Sequence, residues 1–420
     1  MAQKRTFVIV GASLAGAKAA ETLRTEGFDG KVVLIGEEPT RPYERPPLSK
    51  EYLRGEKGFD FAAVHSTGYY DDAGIELRTS TRARALDVRE SEVVLDNGER
   101  LGFDRLLLAT GSVPRKLAID GADLEGIFYL RTVENADALR DVLASRGRLV
   151  VIGGGWVGCE VAASARQLGA EVALVELSTV PLEHALGLQV GSVFRDLHTE
   201  HGVELHLGAG VTRLAGSAAP SGTGARSRSV RAVELDDGTA LEADAVLVAV
   251  GVAPRTELAA GAGLALGSGV AVDEHLSTSA PSIYAAGDVA SAFYPHLGAR
   301  IRLEHWSAAL NQGPAAARAM LGQDITYDRT PYFFSDQYDL GMEYRGWAPS
   351  HDRVVLRGDP ASRKFLAFWL SQGRVVAAMN SNIWDAGDKL EALVRTRQIV
   401  DPDGLADTST DLSDLVTSEP

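Results

Sequence analysis

Apolar positions along this chain follow two rhythms, and the same succession of rhythms is laid down twice. The run Thr6-Phe-Val-Ile-Val10 reads as a buried strand, residues 17–25 as a helix with Ala19 and Ala20 against a sheet, and residues 31–36 as a second strand. The succession returns with Leu149-Val-Val-Ile152, a helix over 160–167 and a strand over 170–175. Short alternating runs at 75–77, 83–88 and 93–95, with Asp96-Asn-Gly98 as a turn, predict an antiparallel ribbon. Runs at 203–207, 230–235 and 245–250 predict another. A strand over 105–109 ends in Thr110-Gly111-Ser-Val-Pro114, and the run 245–250 ends in Gly251-Val-Ala-Pro254. The echo points to an internal duplication.

Downstream, Ile283-Tyr-Ala-Ala-Gly-Asp288 reads as a strand and turn returning the chain to its first unit, with a helix expected over 307–321. Strand-like runs at 353–357, 365–371 and 374–380 and a helix at Gly387–Thr396 predict a third unit. The fold class is α/β: two dinucleotide-type units and a C-terminal α/β domain. The expected boundaries are 1–112 with 252–325, then 113–251, then 326–405, and an acidic tail over 406–420, with residues 401–420 expected to fray. Residues 216–229 are low in complexity and read as a hairpin tip.

Each β-α-β unit opens on a glycine turn. In such a turn the first Gly permits the tight bend, a small residue at the second position lets a pyrophosphate approach the backbone, and the third allows close helix–strand packing. The first copy is Gly11-Ala-Ser13-Leu14-Ala15-Gly16, with Ser13 at the second position. The second is Gly153-Gly-Gly155-Trp-Val157-Gly158, with all three glycines kept. Glu37 and Glu176 each end the following strand, about 20 residues on, where a carboxylate accepts from an adenosine ribose hydroxyl. Glu176 would repel a 2′-phosphate, and Leu177-Ser-Thr-Val-Pro181 offers no arginine to bind one, so NADH is favoured over NADPH.

Two dinucleotides on one chain suggest a flavoprotein that takes a hydride from a nicotinamide. Gly287-Asp288, placed ahead of an expected helix, would let Asp288 hold a ribityl hydroxyl of FAD. Lys50 closes the Pro-rich loop 41–50, where a cation would favour reduced flavin. Alone, a lysine there is more often solvated. Glu160, just past Gly158, would face an arriving nicotinamide amide, or simply complement the helix dipole. Trp306 and the cluster Tyr332-Phe-Phe334 either flank a flavin or form core.

Composition narrows the chemistry. The net charge of −15 argues against nucleic-acid or anionic-membrane partners. No apolar run reaches the ~20 residues of a bilayer helix, and the chain enters its first strand by Thr6, so a cytoplasmic protein without a signal peptide is expected. Cys159 is the single cysteine, so neither a disulfide framework nor a redox dithiol can form. It lies near a helix start, which can sensitise a thiol, although a small packing residue is the plainer reading. No metal site is expected.

These residues resemble those of the FAD-dependent ferredoxin reductases that serve bacterial oxygenases. The resemblance spans nearly the whole chain and rests on Arg45-Pro-Pro-Leu-Ser-Lys50, Ala109-Thr110-Gly111, Gly153-Gly-Gly-Trp-Val-Gly-Cys-Glu160, Ile283-Tyr-Ala-Ala-Gly287-Asp288 and Ser335-Asp-Gln-Tyr-Asp339. It implies a glutathione-reductase-like architecture, with an FAD domain in two segments, an inserted NAD domain and a C-terminal domain. It implies FAD-contacting positions at Ala15, Glu37, Lys50, Ala83, Arg131, Asp288 and Trp306, beside the turn residues and Arg45, and an NAD site at the second turn reaching Gly251. Lys50 and Glu160 would form an ion pair. Where the family usually carries tryptophan, this chain has Tyr332 and Phe334, which puts an indole-mediated electron path there in doubt.

The resemblance further implies electron flow from NADH through FAD to an iron–sulfur ferredoxin, with the chain a monomer or homodimer. Arg300 and Arg302 are candidates for a docking patch, with ordinary surface charge as the alternative. A reductase of rubredoxin or of a small oxidant such as monodehydroascorbate, and a redox-sensing protein resembling apoptosis-inducing factor, are the competing readings.

Overall fold

A computed structural model describes residues 5–216 and 229–415. The expected hairpin tip therefore lies, for residues 217–228, outside the described residues. The chain forms two compact units. The first comprises Met1–Glu44, Phe59–Val113 and Ala253–Phe333; the second comprises Arg45–Gly58, Pro114–Val252 and Phe334–Pro420.

The first unit is built on a five-stranded sheet ordered Ile283–Ala285, Arg105–Leu108, Thr6–Val10, Lys31–Ile35, Ile75–Arg78. All four pairings are parallel. The central strand is buried on both faces (Phe7, Val8 and Ile9 are fully buried), which is why it reads as continuous apolar sequence rather than as alternation. Helix Leu14–Thr25 crosses over between neighbouring parallel strands, and helix Trp306–Met320 packs on it. At that crossing a Cβ on Gly313 would stand 2.2 Å from the Ala15 carbonyl, so only glycine permits the approach. A three-stranded antiparallel ribbon, Ala83–Asp87, Glu92–Leu95 and Arg100–Gly102, completes the expected meander.

The second unit repeats the sheet. Its order is Ile127–Phe128, Ala245–Val248, Arg148–Ile152, Glu171–Glu176, Glu204–Leu207, again with parallel pairings. The order matches that of the first except at the outer strand, where Ile127–Phe128 precedes the others in the chain and Ile283–Ala285 follows them. The same unit holds a second five-stranded sheet, ordered Tyr332–Gln337, Leu340–Gly346, Arg374–Ser381, Lys364–Ser371, Arg353–Asp359. Helix Gly387–Thr396 covers one face, burying Leu390, Leu393 and Val394 against Leu366, Phe368 and Val375. The segment Arg45–Gly58 is held here by the Ser164 hydroxyl on the Ser49 carbonyl (2.6 Å) and the Tyr52 hydroxyl on Asp137 (2.9 Å).

Several expected elements change. Residues 75–77 belong to the parallel sheet, not the ribbon. The runs 203–207 and 245–250 are likewise parallel-sheet strands, and the second ribbon is instead Val211–Gly216, Val230–Leu235 and Ala240–Glu242. Ile75–Arg78 and Glu204–Leu207 are edge strands, only partly buried, so their short alternation imitates a hairpin strand, whereas Ala245–Val248 is an interior strand buried throughout. Helices Val133–Leu143 and Glu183–Glu200 are additional elements; the first carries its own signal, a Thr132–Asn135 capping box ahead of Val133, Ala136, Leu139 and Leu143 at helical spacing. The tail is not frayed over 401–415: Asp401 caps the turn Pro402–Ala406, Leu405 and Leu412 are buried, and Lys389 binds Asp411 (2.8 Å). Among the described residues no helix is long and apolar enough to cross a membrane.

Candidate active site

In the first unit the glycine turn leaves strand Thr6–Val10 and enters helix Leu14–Thr25 through Ser13 as N-cap. A Cβ on Gly11 would lie 2.0 Å from the Ala109 carbonyl oxygen, and one on Gly16 would lie 1.9 Å from the Gly11 carbonyl oxygen. Gly11 also sits at φ 120°, closed to other residues. The Ser13 hydroxyl donates to the Tyr43 carbonyl (3.4 Å). Leu14 and Ala15 are buried on the helix.

A cavity of about 300 Å³ opens beside this turn, lined by Gly11, Glu37, Thr81, Ala83, Thr110 and Arg255 among others. Glu37 meets the Arg255 guanidinium at 2.5 Å and Arg82 at 3.5 Å. Arg255 escaped the sequence reading. Its only signal is that it follows Gly251-Val-Ala-Pro254 as Arg115 follows Gly111-Ser-Val-Pro114. Each arginine's backbone N–H donates to a turn glycine, Arg255 to Gly111 and Arg115 to Gly251 (2.9 Å each).

Asp288 accepts from the Ser112 hydroxyl (2.7 Å), and the Gly287 N–H donates to the buried Gln312 side chain (2.8 Å). No helix follows Asp288, contrary to expectation. A short 3₁₀ turn, Gly287–Val289, leads into strand Ala290–Tyr294, which pairs with Ala299–Arg302. Helix Trp306–Met320 instead packs against this turn from elsewhere in the chain. The Trp306 indole N–H donates to Glu44 (2.7 Å), and His305 packs on Phe333 with ring centroids 4.6 Å apart. Burial pulls the His305 imidazole down to about 4.

Arg300 and Arg302 are bound into the first unit rather than projecting as a free basic patch. Arg300 is exposed, yet its guanidinium donates to the carbonyls of Val272 and Ser291. The mostly buried Arg302 side chain donates to the Asp288 carbonyl (3.3 Å) and pairs with Glu304 (2.5 Å).

The second turn repeats the first. Gly153 has φ 104°, and a Cβ on Gly158 would stand 2.0 Å from the Gly153 carbonyl oxygen. Gly155 is different: nothing lies within 4 Å of its Cβ position, so the space over the N-terminus of helix Trp156–Gln167 is open. Val157, in the first turn of that helix, is exposed. Glu176 accepts from the N–H groups of Gly154 (2.6 Å) and Ser178 (2.8 Å), holding its carboxylate at the turn. Gly251 has φ 93° at the end of the neighbouring strand. Both turns thus have the cradle a dinucleotide pyrophosphate needs and an acid placed for a ribose.

The helix starts at Trp156, earlier than expected, and Glu160 faces inward from its second turn. There it meets Lys50, whose Nζ lies 2.9 Å from Glu160 Oε1; both side chains are more than nine-tenths buried. Lys50 Nζ also stands over the Phe334 ring, 5.4 Å from its centroid. Two hydroxyls complete the carboxylate: Ser335 donates to Oε1 (2.8 Å) and Ser49 to Oε2 (2.5 Å). Gln337 donates to Ser335 (3.2 Å) and stands 2.9 Å from His198. Arg45 donates to the Arg131 carbonyl (2.6 Å).

None of Ser49, Ser335, Gln337 and His198 was assigned a role from sequence. The available signal was polar residues at alternate, inward positions of a strand, Ser335 and Gln337, inside a motif already noted. Cys159 is fully buried, and burial lifts its thiol well above the usual range, so it packs rather than reacts.

Comparison with known proteins agrees with this geometry. The family model for pyridine nucleotide-disulphide oxidoreductases matches residues 5–313, and that for the reductase C-terminal domain matches residues 332–416. The chain is 38% identical to the ferredoxin reductase subunit of the 5,5′-dehydrodivanillate O-demethylase of Sphingobium sp., over 98% of each chain. It is 39% identical to the ferredoxin–NAD(+) reductase component of the anthranilate 1,2-dioxygenase system of Burkholderia cepacia, over 97% of this chain and 98% of the other. A crystal structure of a covalent putidaredoxin reductase–putidaredoxin complex superimposes with a TM-score of 0.93 at 34% identity, over 98% of each chain. The chain belongs to the pyridine nucleotide-disulphide oxidoreductase family and, within it, to the FAD-dependent NADH:ferredoxin reductases.

Proposed function

We propose that this enzyme supplies electrons from NADH to an iron–sulfur ferredoxin that in turn serves an oxygenase, either a haem monooxygenase or a Rieske-type dioxygenase. One combination of observations carries the reading: two glycine turns that each exclude a Cβ, on a chain whose only cysteine is buried. A hydride can enter from a pyridine nucleotide, yet no dithiol is present to take it onward. The electrons must therefore leave to an external carrier.

FAD, held by the residues named next, would supply hydride acceptance and single-electron release. The first turn (Gly11, Ser13, Gly16) would bind its pyrophosphate, Glu37 and Arg255 would hold its adenosine end, and Asp288 would hold its ribityl chain. Gly153, Gly155 and Gly158 receive the pyrophosphate of NADH, and Glu176 its ribose. Lys50 would supply positive charge favouring a reduced flavin, and Glu160 would orient the nicotinamide. No side-chain acid or base is needed for the hydride step. The balance is one NADH and two oxidised ferredoxins giving NAD⁺, two reduced ferredoxins and one proton. Each chain carries both turns, so one copy suffices whether the protein is a monomer or a homodimer.

We assign a part in ferredoxin docking to Arg300 alone, which is exposed and keeps its charge while bonded to two carbonyls, since a chain of net charge −15 repels an acidic partner at long range. Arg302 acts there only indirectly, because its side chain is committed to Asp288 and Glu304.

Reconstitution tests the reading. Purified holoprotein is mixed with NADH and, separately, ferredoxins of different cluster types, a rubredoxin and monodehydroascorbate. Rapid reduction of a ferredoxin is expected. Fast turnover with only rubredoxin or the small oxidant, or slow flavin reduction with a persistent charge-transfer band, would replace it with one of the competing functions.

A further inference from the structure

Glu160 is the end point of a hydrogen-bond string that begins at His198 and runs through Gln337 and Ser335. His198 lies on helix Glu183–Glu200 and Gln337 and Ser335 on strand Tyr332–Gln337; all three are essentially inaccessible to solvent. The links are His198 Nε2 to Gln337 Oε1 (2.9 Å), Gln337 Nε2 to Ser335 Oγ (3.2 Å) and Ser335 Oγ to Glu160 Oε1 (2.8 Å).

The donor inventory fixes the direction of every link. Glu160, paired with Lys50, can only accept, so the single Ser335 proton is spent on it. Ser335 must then accept from Gln337, which requires the amide NH₂ to face Ser335 and the amide oxygen to face His198. That oxygen can only accept, so His198 carries its proton on Nε2. Its Nδ1 is buried without a partner, as suits a neutral ring, and burial lowers the imidazole to about 4. Every donor therefore points the same way, toward the carboxylate, and dipoles aligned in series reinforce one another.

We propose that His198, Gln337 and Ser335 are positioning residues for Glu160, a one-way string that keeps the carboxylate seated on Lys50. The inference rests on the role assigned to Glu160 above. With Lys50 and Ser335 both on Oε1 and Ser49 on Oε2, the carboxylate is gripped at both oxygens and cannot rotate without breaking a buried bond. Losing the string leaves Lys50 and Ser49 as its only holders.

Gln337→Glu tests the direction of the string and not merely its presence. The substitution keeps side-chain length and the contact with His198, but a carboxylate accepts where the amide donated. The Ser335 hydroxyl then turns toward residue 337 and away from Glu160. The readouts are the flavin-reduction rate constant at saturating NADH, the dissociation constant of NAD⁺ from oxidised holoprotein by calorimetry, and the melting temperature. The expected result is at least a tenfold slower reduction and at least a threefold weaker NAD⁺ affinity, with flavin content unchanged. If both stay at the wild-type values, the string is only structural and the proposal falls.

Should Gln337→Glu fold poorly, His198→Leu with Gln337→Leu removes both polar groups together and leaves neither stranded. Slow reduction with recovered melting temperature supports positioning, whereas full recovery of both overturns it. Glu160→Ala separates the two levels. Wild-type kinetics in that variant would refute the role of Glu160 itself, while slow kinetics there with normal kinetics in Gln337→Glu would refute only the string.

Discussion

Lys50 and Glu160, distant in sequence, form a buried ion pair at 2.9 Å that two serine hydroxyls complete. A buried pair contributes little net stability over apolar residues, but removing one partner strands the other charge. Lys50→Met should therefore cost about 3–5 kcal/mol in urea unfolding and slow flavin reduction by NADH at least tenfold. Lys50→Met combined with Glu160→Met should regain part of the stability and none of the rate. Recovery of the rate in the double variant would remove the pair from the mechanism.

The two classes of glycine in the second turn should separate by substitution. At Gly158 a Cβ would collide with the Gly153 carbonyl oxygen at 2.0 Å, whereas at Gly155 it meets nothing within 4 Å. Gly158→Ala should lower the melting temperature. Gly155→Ala should leave it unchanged yet raise KM for NADH tenfold or more, because the added methyl occupies the space a pyrophosphate needs. Equal KM values for Gly155→Ala and wild type would place the nucleotide elsewhere.

Cofactor preference should be switchable at Glu176. Its carboxylate is tied to the amides of Gly154 and Ser178, and the next residue, Leu177, is 77% exposed. Replacing Glu176 by Ala removes the repulsion of a 2′-phosphate, and Leu177→Arg adds a partner for it. The double variant should raise the ratio of kcat/KM for NADPH over NADH at least tenfold.

Arg300 and Arg302 should behave differently. Arg302→Glu breaks the bond to the Asp288 carbonyl and opposes Glu304, so it should lower FAD retention and slow ferricyanide and ferredoxin reduction together. Arg300→Gln should slow ferredoxin-coupled cytochrome c reduction threefold or more at low salt while holding ferricyanide reduction within twofold. The difference should shrink at high ionic strength. A salt-independent loss would exclude docking.

Acid should destabilise the fold before its carboxylates titrate. His198 and His305 are both held down to about 4 by burial, against 6.5 when unfolded. Below pH 6.5 the unfolded chain takes up protons that the folded chain refuses. The stabilisation is complete above that pH and is lost as pH falls toward 4, by up to about 1.4 kcal/mol per pH unit for each ring. Urea unfolding at pH 7.5, 6 and 5 should show the decline; a flat profile would contradict it.

Local rules were enough to read the turns. Gly11, Gly16, Gly153 and Gly158 mark sites where backbone meets backbone, a hard-sphere constraint that acts within one β-α-β unit and so leaves its mark in consecutive residues. Glu37 and Glu176 stand at or just past the end of the next strand of the same unit, so their positions too can be read from a local stretch. Pairing was a different matter. Whether 75–77, 203–207 and 245–250 join a parallel sheet or a ribbon depends on which distant strand lies beside them, and period-two alternation does not record it. Nor could a linear reading show that Arg302 is spent on Asp288, that strand and not helix follows Asp288, or that His198 reaches Glu160 through Gln337 and Ser335. Glycine's role is written in its own missing side chain, but a hydrogen bond belongs to two residues, and only folding decides which two.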